Sequence, residues 1–219
     1  MRGEAIGRLV VCVIAVLSGA LGSCEQRTAD KRDINRAYSD YEACNNEKRG
    51  GDIVEVFTPS SFERYERLIK LALSAKAEDV KALGPNDQLE VLTMRARATR
   101  AEIARLNGKQ YVEYATSKGW YVTPREDRTT DRLEDFRFKG ADEASVRLVS
   151  DDERTGVRLK FVRLEGRWRL DEPHAIGEYD RSIRSFLRSE RISVAEFIEA
   201  TMEERLGKEL PAGAWDPMP

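Results

Sequence analysis

Cysteine and histidine are scarce in this chain of 219 residues: three of the first, at Cys12, Cys24 and Cys44, and one of the second, His174. That scarcity excludes a disulfide framework and the common zinc sites, whose ligands come in closely spaced Cys/His pairs. There is no CxxC, no HExxH, no glycine-rich phosphate loop and no nucleophile elbow, so the motifs that announce redox, zinc-protease, nucleotide or hydrolase chemistry are missing. No cofactor and no metal is implied. Charge of a single sign is lacking too. The 37 basic and 39 acidic residues nearly cancel, which leaves no basic face for nucleic acid and describes a well-solvated surface of mixed sign.

An apolar run is present, but only one, at the start. Arg2 and Arg8 make a positive n-region, Leu9 to Leu21 is apolar apart from Ser18 and Gly19, and Gly22-Ser23 puts small residues before Cys24. These are the parts of a secretory signal, and the run is shorter than the roughly 20 residues that span a bilayer. Leu21-Gly22-Ser23-Cys24 resembles the lipobox of bacterial lipoproteins. The resemblance implies cleavage before Cys24, a thioether-linked diacylglycerol and an acylated amine on that residue, and a membrane partner reached through the lipid. Two chains hold stably where one holds marginally. Glu25 at the next position mildly favours the outer membrane over retention at the inner one. Cleavage would remove Arg2, Arg8 and Glu4, so 35 basic and 38 acidic residues remain, a formal charge of −3. Lipidation of Cys24 would also leave Cys44 without a partner. The resulting division is a signal peptide over 1–23, a short tether over 24–29, one α+β domain over 30–207 and a proline-rich tail over 208–219.

Within the domain the apolar period changes once. Ile34, Ala37, Tyr38 and Tyr41 recur at i, i+3, i+4 and i+7, the spacing of one helix face, and Gly50-Gly51 ends that helix. Asp52 is placed to cap a short second helix. Ser60 to Glu63, Thr99 to Glu102 and Ser193 to Glu196 are capping boxes; the span from Glu78 to Leu83 reads as a turn, and Asn86 or Asp87 as the cap of the helix carrying Leu89 and Leu92. From Leu133 the period becomes two: Phe136 and Phe138, then Ala144, Val146 and Leu148, then Val157, Leu159 and Phe161, then Trp168 and Leu170. Alternation of this kind describes half-buried antiparallel strands. Glu165-Gly166 is a two-residue hairpin link, and Asp151 to Gly156 reads as a longer charged loop. Ile176, Tyr179, Ile183, Phe186 and Leu187 restore a helical stripe, and Phe197, Ile198, Met202 and Leu206 form another before Gly207.

Asp40-Tyr41-Glu42 followed by Gly51-Asp52-Ile53-Val54-Glu55-Val56-Phe57-Thr58-Pro59, together with Phe161 to Asp171 as a closing hairpin, resembles the nuclear transport factor 2-like superfamily. The resemblance implies N-terminal helices packed on a curved antiparallel sheet of about four strands. Asn86 to Gly119 and the helices after Asp180 exceed that pattern; helices on one face of an open sheet would suit the same periodicities.

Candidates for chemistry are few. His174 beside Asp171 could form the proton-abstracting pair that some enzymes of the superfamily use, although a histidine at a strand-to-helix corner needs no such role. Asp40, with Glu42, could reach a cone interior and act as acid or base if buried; Arg36 at i−4 offers Asp40 a plain helix salt bridge instead. Tyr38, Tyr41, Tyr65, Tyr111, Tyr114 and Tyr121 could line a pocket or simply fill a core. Asp151-Asp152-Glu153 lacks the ligand spacing of a calcium loop. The expectation is a lipid-anchored envelope protein that binds a small ligand or a protein partner, with an enzyme on the same scaffold and an assembly lipoprotein as the alternatives.

Overall fold

The computed structural model describes the backbone of residues 3–122, 130–211 and 213–219, and side chains from Glu25 onward within those ranges apart from Arg154. Helix α1 spans Gly3–Asn46 and passes without a break through 24–29, so the stretch expected to be a tether is helical. It is also fastened to the domain. Arg27 donates to the Gly140 carbonyl at 3.1 Å and lies 4.4 Å over the Phe138 ring, and Asp30, 2% exposed, pairs with Arg163. Cys24 and the residues before it have side chains outside the described ones. Among the described residues no helix is long and apolar enough to cross a membrane.

Short α2 (Gly50–Ile53) follows, capped at Arg49; the glycine pair expected to end the first helix opens the second, and Asp52 lies inside it. Helix α3 (Pro59–Ser74) starts one residue after Thr58, with proline at its first position, where a missing N–H costs nothing. The Ser60 box is therefore overridden by Pro59. Helix α4 (Ala77–Lys81) occupies the span expected to be a turn. Helix α5 (Pro85–Arg97) is capped by Gly84, again with proline leading. The Asp180 carboxylate serves α5 from outside, accepting from the Asn86 backbone N–H at 3.0 Å and its Nδ2 at 2.7 Å. A Cβ at Gly84 would sit 1.8 Å from that carboxylate, which explains glycine there. Helices α6 (Arg100–Ile103) and α7 (Gly108–Ser117) carry reciprocal capping boxes at Thr99 and Asn107.

Strands β1 (Asp131–Lys139), β2 (Glu143–Ser150), β3 (Glu153–Leu164) and β4 (Arg167–Leu170) form one antiparallel meander in sequence order. Ala144, Val146, Leu148, Val157, Leu159, Phe161, Trp168 and Leu170 are all buried. On the wet face, Asp135 takes Arg137 at 3.0 Å, Arg158 at 2.8 Å and Arg147 at 3.4 Å. Asp135 has a φ of 49° and sits where the β1–β2 register shifts, a bulge that bends the strand. Glu165 and Gly166 both have positive φ, as the tight two-residue hairpin turn requires. The β2–β3 connection is shorter than expected. Strand β3 begins at Glu153, and Asp151 and Asp152 turn the chain with φ of 47° and 65°, a conformation that aspartate tolerates better than most residues.

Helix α8 (Glu172–Glu190) returns across the sheet and α9 (Val194–Leu206) folds against α5, each ending in a left-handed residue, Arg191 and Gly207. Ile198 and Met202 join Leu89, Leu92 and Ala214 in a second small core. Of the α8 stripe, Leu187 is buried while Phe186 is 55% exposed. The segment expected to be an extended tail is packed. Ala214 and Met218 are buried, Trp215 is wedged against both cores, and Lys81 lies 5.1 Å over its ring. The chain is thus α+β, helices layered on a four-stranded antiparallel sheet.

Candidate functional site

Between the helices and the buried face of the sheet lies a cavity of about 270 Å³. Helix α1 sends Tyr38, Tyr41, Glu42 and Asn45 to it. Phe57 and Tyr65 come from the segment around the start of α3, Tyr121 from beyond α7, and Asp131 from the first residue of β1. Leu159 and Leu170 are its sheet-side wall, and α8 supplies Glu172, Ala175, Ile176 and Tyr179. The backbone explains why these meet. In α1, positions 38, 41, 42 and 45 stand on one helical face. The chain at Phe57 bridges to Leu170, with Thr58 N–H donating to the Leu170 carbonyl at 3.1 Å and Leu170 N–H to Val56 at 2.8 Å. That bridge brings the start of α3 alongside β4 and so alongside the first turn of α8.

The polar groups are closely engaged. Tyr38 donates its hydroxyl proton to Asp131 at 2.9 Å, Tyr65 donates to Glu172 Oε1 at 3.2 Å, and Tyr121 donates to Glu90 at 2.7 Å. Arg64 donates to the same Glu172 oxygen at 2.6 Å and to Asp87 at 2.6 and 2.9 Å. Glu172 Oε2 is sealed from solvent and has no hydrogen-bond partner among the described residues. A buried acceptor left without a donor costs free energy on the order of 1–3 kcal/mol. Burial pushes the Glu42 carboxyl up to about 7, the negative Asp131 adding to it. Burial likewise raises Glu172, with Arg64 opposing and Glu90 reinforcing the shift. Tyr38, Tyr65, Tyr121 and Tyr179 are all held well above the usual phenol range, chiefly by desolvation.

The two residues singled out for catalysis from the sequence lie elsewhere. Asp40 is exposed and lines a more open groove of about 520 Å³ with Arg36, Arg49, Asp52 and Trp168. Cys44, a buried free thiol, borders the same groove. His174 is on the first turn of α8 with its side chain 39% exposed, 3.9 Å from Glu178; neither Asp40 nor His174 lines the cavity between helices and sheet. Of the six tyrosines considered for a pocket, Tyr38, Tyr41, Tyr65 and Tyr121 line it, while Tyr111 is a core residue and Tyr114 packs edge-on against Trp120. Asp131, Glu172 and Tyr179 went unread as site residues.

Compared with known proteins, the chain matches no family model, no curated protein and no solved structure. Its function is therefore to be sought in the chemistry of the cavity.

Proposed function

We propose that the chain is a lipid-anchored protein of the bacterial cell envelope that binds a small ligand non-covalently, on a scaffold of the nuclear transport factor 2-like kind. The observation that carries this is the cavity: aromatic and aliphatic walls with a few convergent polar groups are the usual make-up of a small-molecule site. The order of helices first and meander second, with bulged strands, supports the scaffold. The lipobox at Leu21 to Cys24 supports the anchor, and the helical, fastened stretch from Glu25 to Asp30 would hold the domain close to the bilayer. The enzymatic alternative finds its best acid–base group in Glu42, because that carboxyl lies in the cavity and titrates near neutrality. The assembly alternative has less support: Phe186 and Ile192 are the large exposed apolar side chains among the described residues, well short of an interaction patch.

Thermal unfolding of the full chain in detergent against small cationic, neutral and anionic fragments tests the binding reading. At least one class should raise the transition temperature in the wild type and lose that effect in Ala175→Leu, which fills the cavity. If no class acts, the protein is no binder of small ligands at this site. Fractionation tests the anchor. Cys24→Ser should move the protein from membranes to the soluble fraction, and unchanged membrane association would overturn the lipoprotein reading.

A further inference from the structure

Two fastenings hold the first turns of α1 against the sheet. Arg27 donates to the Gly140 carbonyl at 3.1 Å and lays its guanidinium 4.4 Å over the Phe138 ring. Asp30, 2% exposed, pairs with Arg163 of β3, whose guanidinium rests 4.6 Å over the Trp168 ring. Trp168 is itself 5% exposed, so this second fastening is built into the packed interior, unlike the exposed pairs that contribute little. Farther along α1, Lys31 lies 5.7 Å over Phe136 and Tyr38 donates to Asp131 at 2.9 Å. Partners on β1 thus descend from 138 to 131 as positions on α1 rise from 27 to 38, and α1 runs antiparallel beside β1. The start of α1 and the β1–β2 turn (140–142) therefore share one end of the sheet. Asp131 and the β2–β3 turn at Asp151-Asp152 lie at the other.

That end is also where Cys24 is. Cys24 precedes Arg27 by three residues and Asp30 by six, about 4.5 and 9 Å along a helix axis. The headgroup layer on each side of a bilayer is about 5–8 Å thick. A lipid on Cys24 would bring Arg27, and the turn bonded to it, to the headgroups. Nothing draws the rest of α1 down beside them. Lys31, Arg32, Asn35, Arg36, Ser39 and Asp40 are its exposed side chains over the next turns. None is apolar, and a helix lying in an interface needs an apolar flank to bury. The end itself carries both signs, Arg32 and Lys139 beside Glu25 and Asp142, so its placement depends on the anchor and the fastenings and not on charge.

Resting on the reading of Cys24 as a lipid anchor, we infer that the end of the sheet bearing the β1–β2 turn sits on the phospholipid headgroups of the bilayer, with α1 and the strands standing away from it. The first turn of α1 and the turn after Lys139 form the contact. The cavity is then remote from the membrane. Its lining on α1 begins at Tyr38, about 21 Å along the helix from Cys24, so a ligand enters it from the aqueous phase and not from the lipid.

Fluorescence quenching of the full lipidated chain in vesicles of phosphatidylcholine and phosphatidylglycerol tests the orientation. A small thiol-reactive fluorophore is placed at Ala141→Cys, exposed in the β1–β2 turn, or at Thr130→Cys, exposed at the far end of β1. Cys44, 1% exposed, is shielded from the reagent. The two labels stand about 30 Å apart along the strand, so a nitroxide-headgroup lipid should quench the label at 141 at least about threefold more than the label at 130. Insertion of about twelve glycine and serine residues between Glu25 and Gln26, with a reach of about 20 Å, should erase that contrast and leave the circular dichroism unchanged. If the protein floats with the vesicles but both labels are quenched alike, or the label at 130 more, the upright orientation is overturned while the anchor stands. A contrast that survives the insertion overturns the role given to the fastened helix. If the chain does not float with vesicles at all, the anchor fails and the orientation with it.

Discussion

Glu42 shows how far a single residue's environment can move it. In water its carboxyl would ionise in the usual acid range; half-buried and facing Asp131, it is pushed up to about 7. The unfolded chain then releases its proton at lower pH than the native protein does, so the native state holds more protons between roughly pH 4.5 and 7 and stability falls as pH rises through that window. Above about 7 the loss is complete. Glu42→Gln should remove it. Discounted for the solvent screening of a half-exposed group, the variant should be more stable than the wild type by about 1 kcal/mol at pH 8 and little different at pH 4.5. Urea midpoints of both proteins at the two pH values measure this, and a gain of equal size at both would show that charge is not the cause. On sequence alone Asp40 groups with Glu42 as a candidate for the interior, yet position 42 lies at i+4 from Tyr38 whereas position 40 lies across the helix. The perturbed acid could not be read that way, because its neighbour Asp131 is brought to it from a strand far along the chain.

Among elements, α3 depends on residues beyond itself. Its last turn leaves carbonyls without intrahelical partners, as every helix end does; the C-cap Ala75 N–H serves only that of Leu71, at 2.9 Å. Arg95 from α5 donates to the carbonyls of Leu71, Ala72 and Ala75 at 3.0, 3.0 and 2.6 Å, and to that of Trp215 at 2.6 Å. Arg100 joins Leu73 to Met218 at 2.9 and 2.7 Å. One guanidinium thus caps a helix and fastens the C-terminal segment. Arg95→Met should cost about 2–4 kcal/mol in thermal or urea unfolding and expose Trp215, seen as a red shift of its emission. A loss under about 0.5 kcal/mol, the usual range for surface substitutions, would show that the strap is dispensable. Strands β2 to β4 and the capping boxes at Thr99 and Ser193 were legible because alternation and capping are local. The start of α3, the helix α4 and the Asp151-Asp152 turn were not. In those places a proline, a neighbouring helix or a strand pairing outweighed the local signal.

Across the molecule, Arg64 ties three elements together. It is 8% exposed and reaches from α3 to Asp87 on α5 and Glu172 on α8, with Arg67 adding a second contact to Asp87 at 2.8 Å. Burial opposes its charge, and Glu172, Tyr65 and Asp87 more than offset that, so its pKa is raised. Replacing it with methionine would leave two carboxylates facing one another in a desolvated space, which should cost about 3–5 kcal/mol. Lysine keeps the charge but not the fork that serves both acids, so Arg64→Lys should fall between the two. Urea unfolding of the three proteins gives the order, and equal stability of all three would show that this cross-link carries no weight.

Period and caps, properties of neighbouring residues, determined the longer helices, the four strands and the α+β class, while the expectation of a lipid anchor at Cys24 came from the resemblance of Leu21 to Cys24 to a lipobox. Tertiary structure alone decided that Glu42 and Glu172 line the cavity while Asp40 and His174 do not, that the C-terminal segment is packed, and that the cavity lining is rich in aromatic rings. Those outcomes depend on groups from α1, α3, β1 and α8 meeting at short range, and desolvation and charge coupling act through space rather than along the chain.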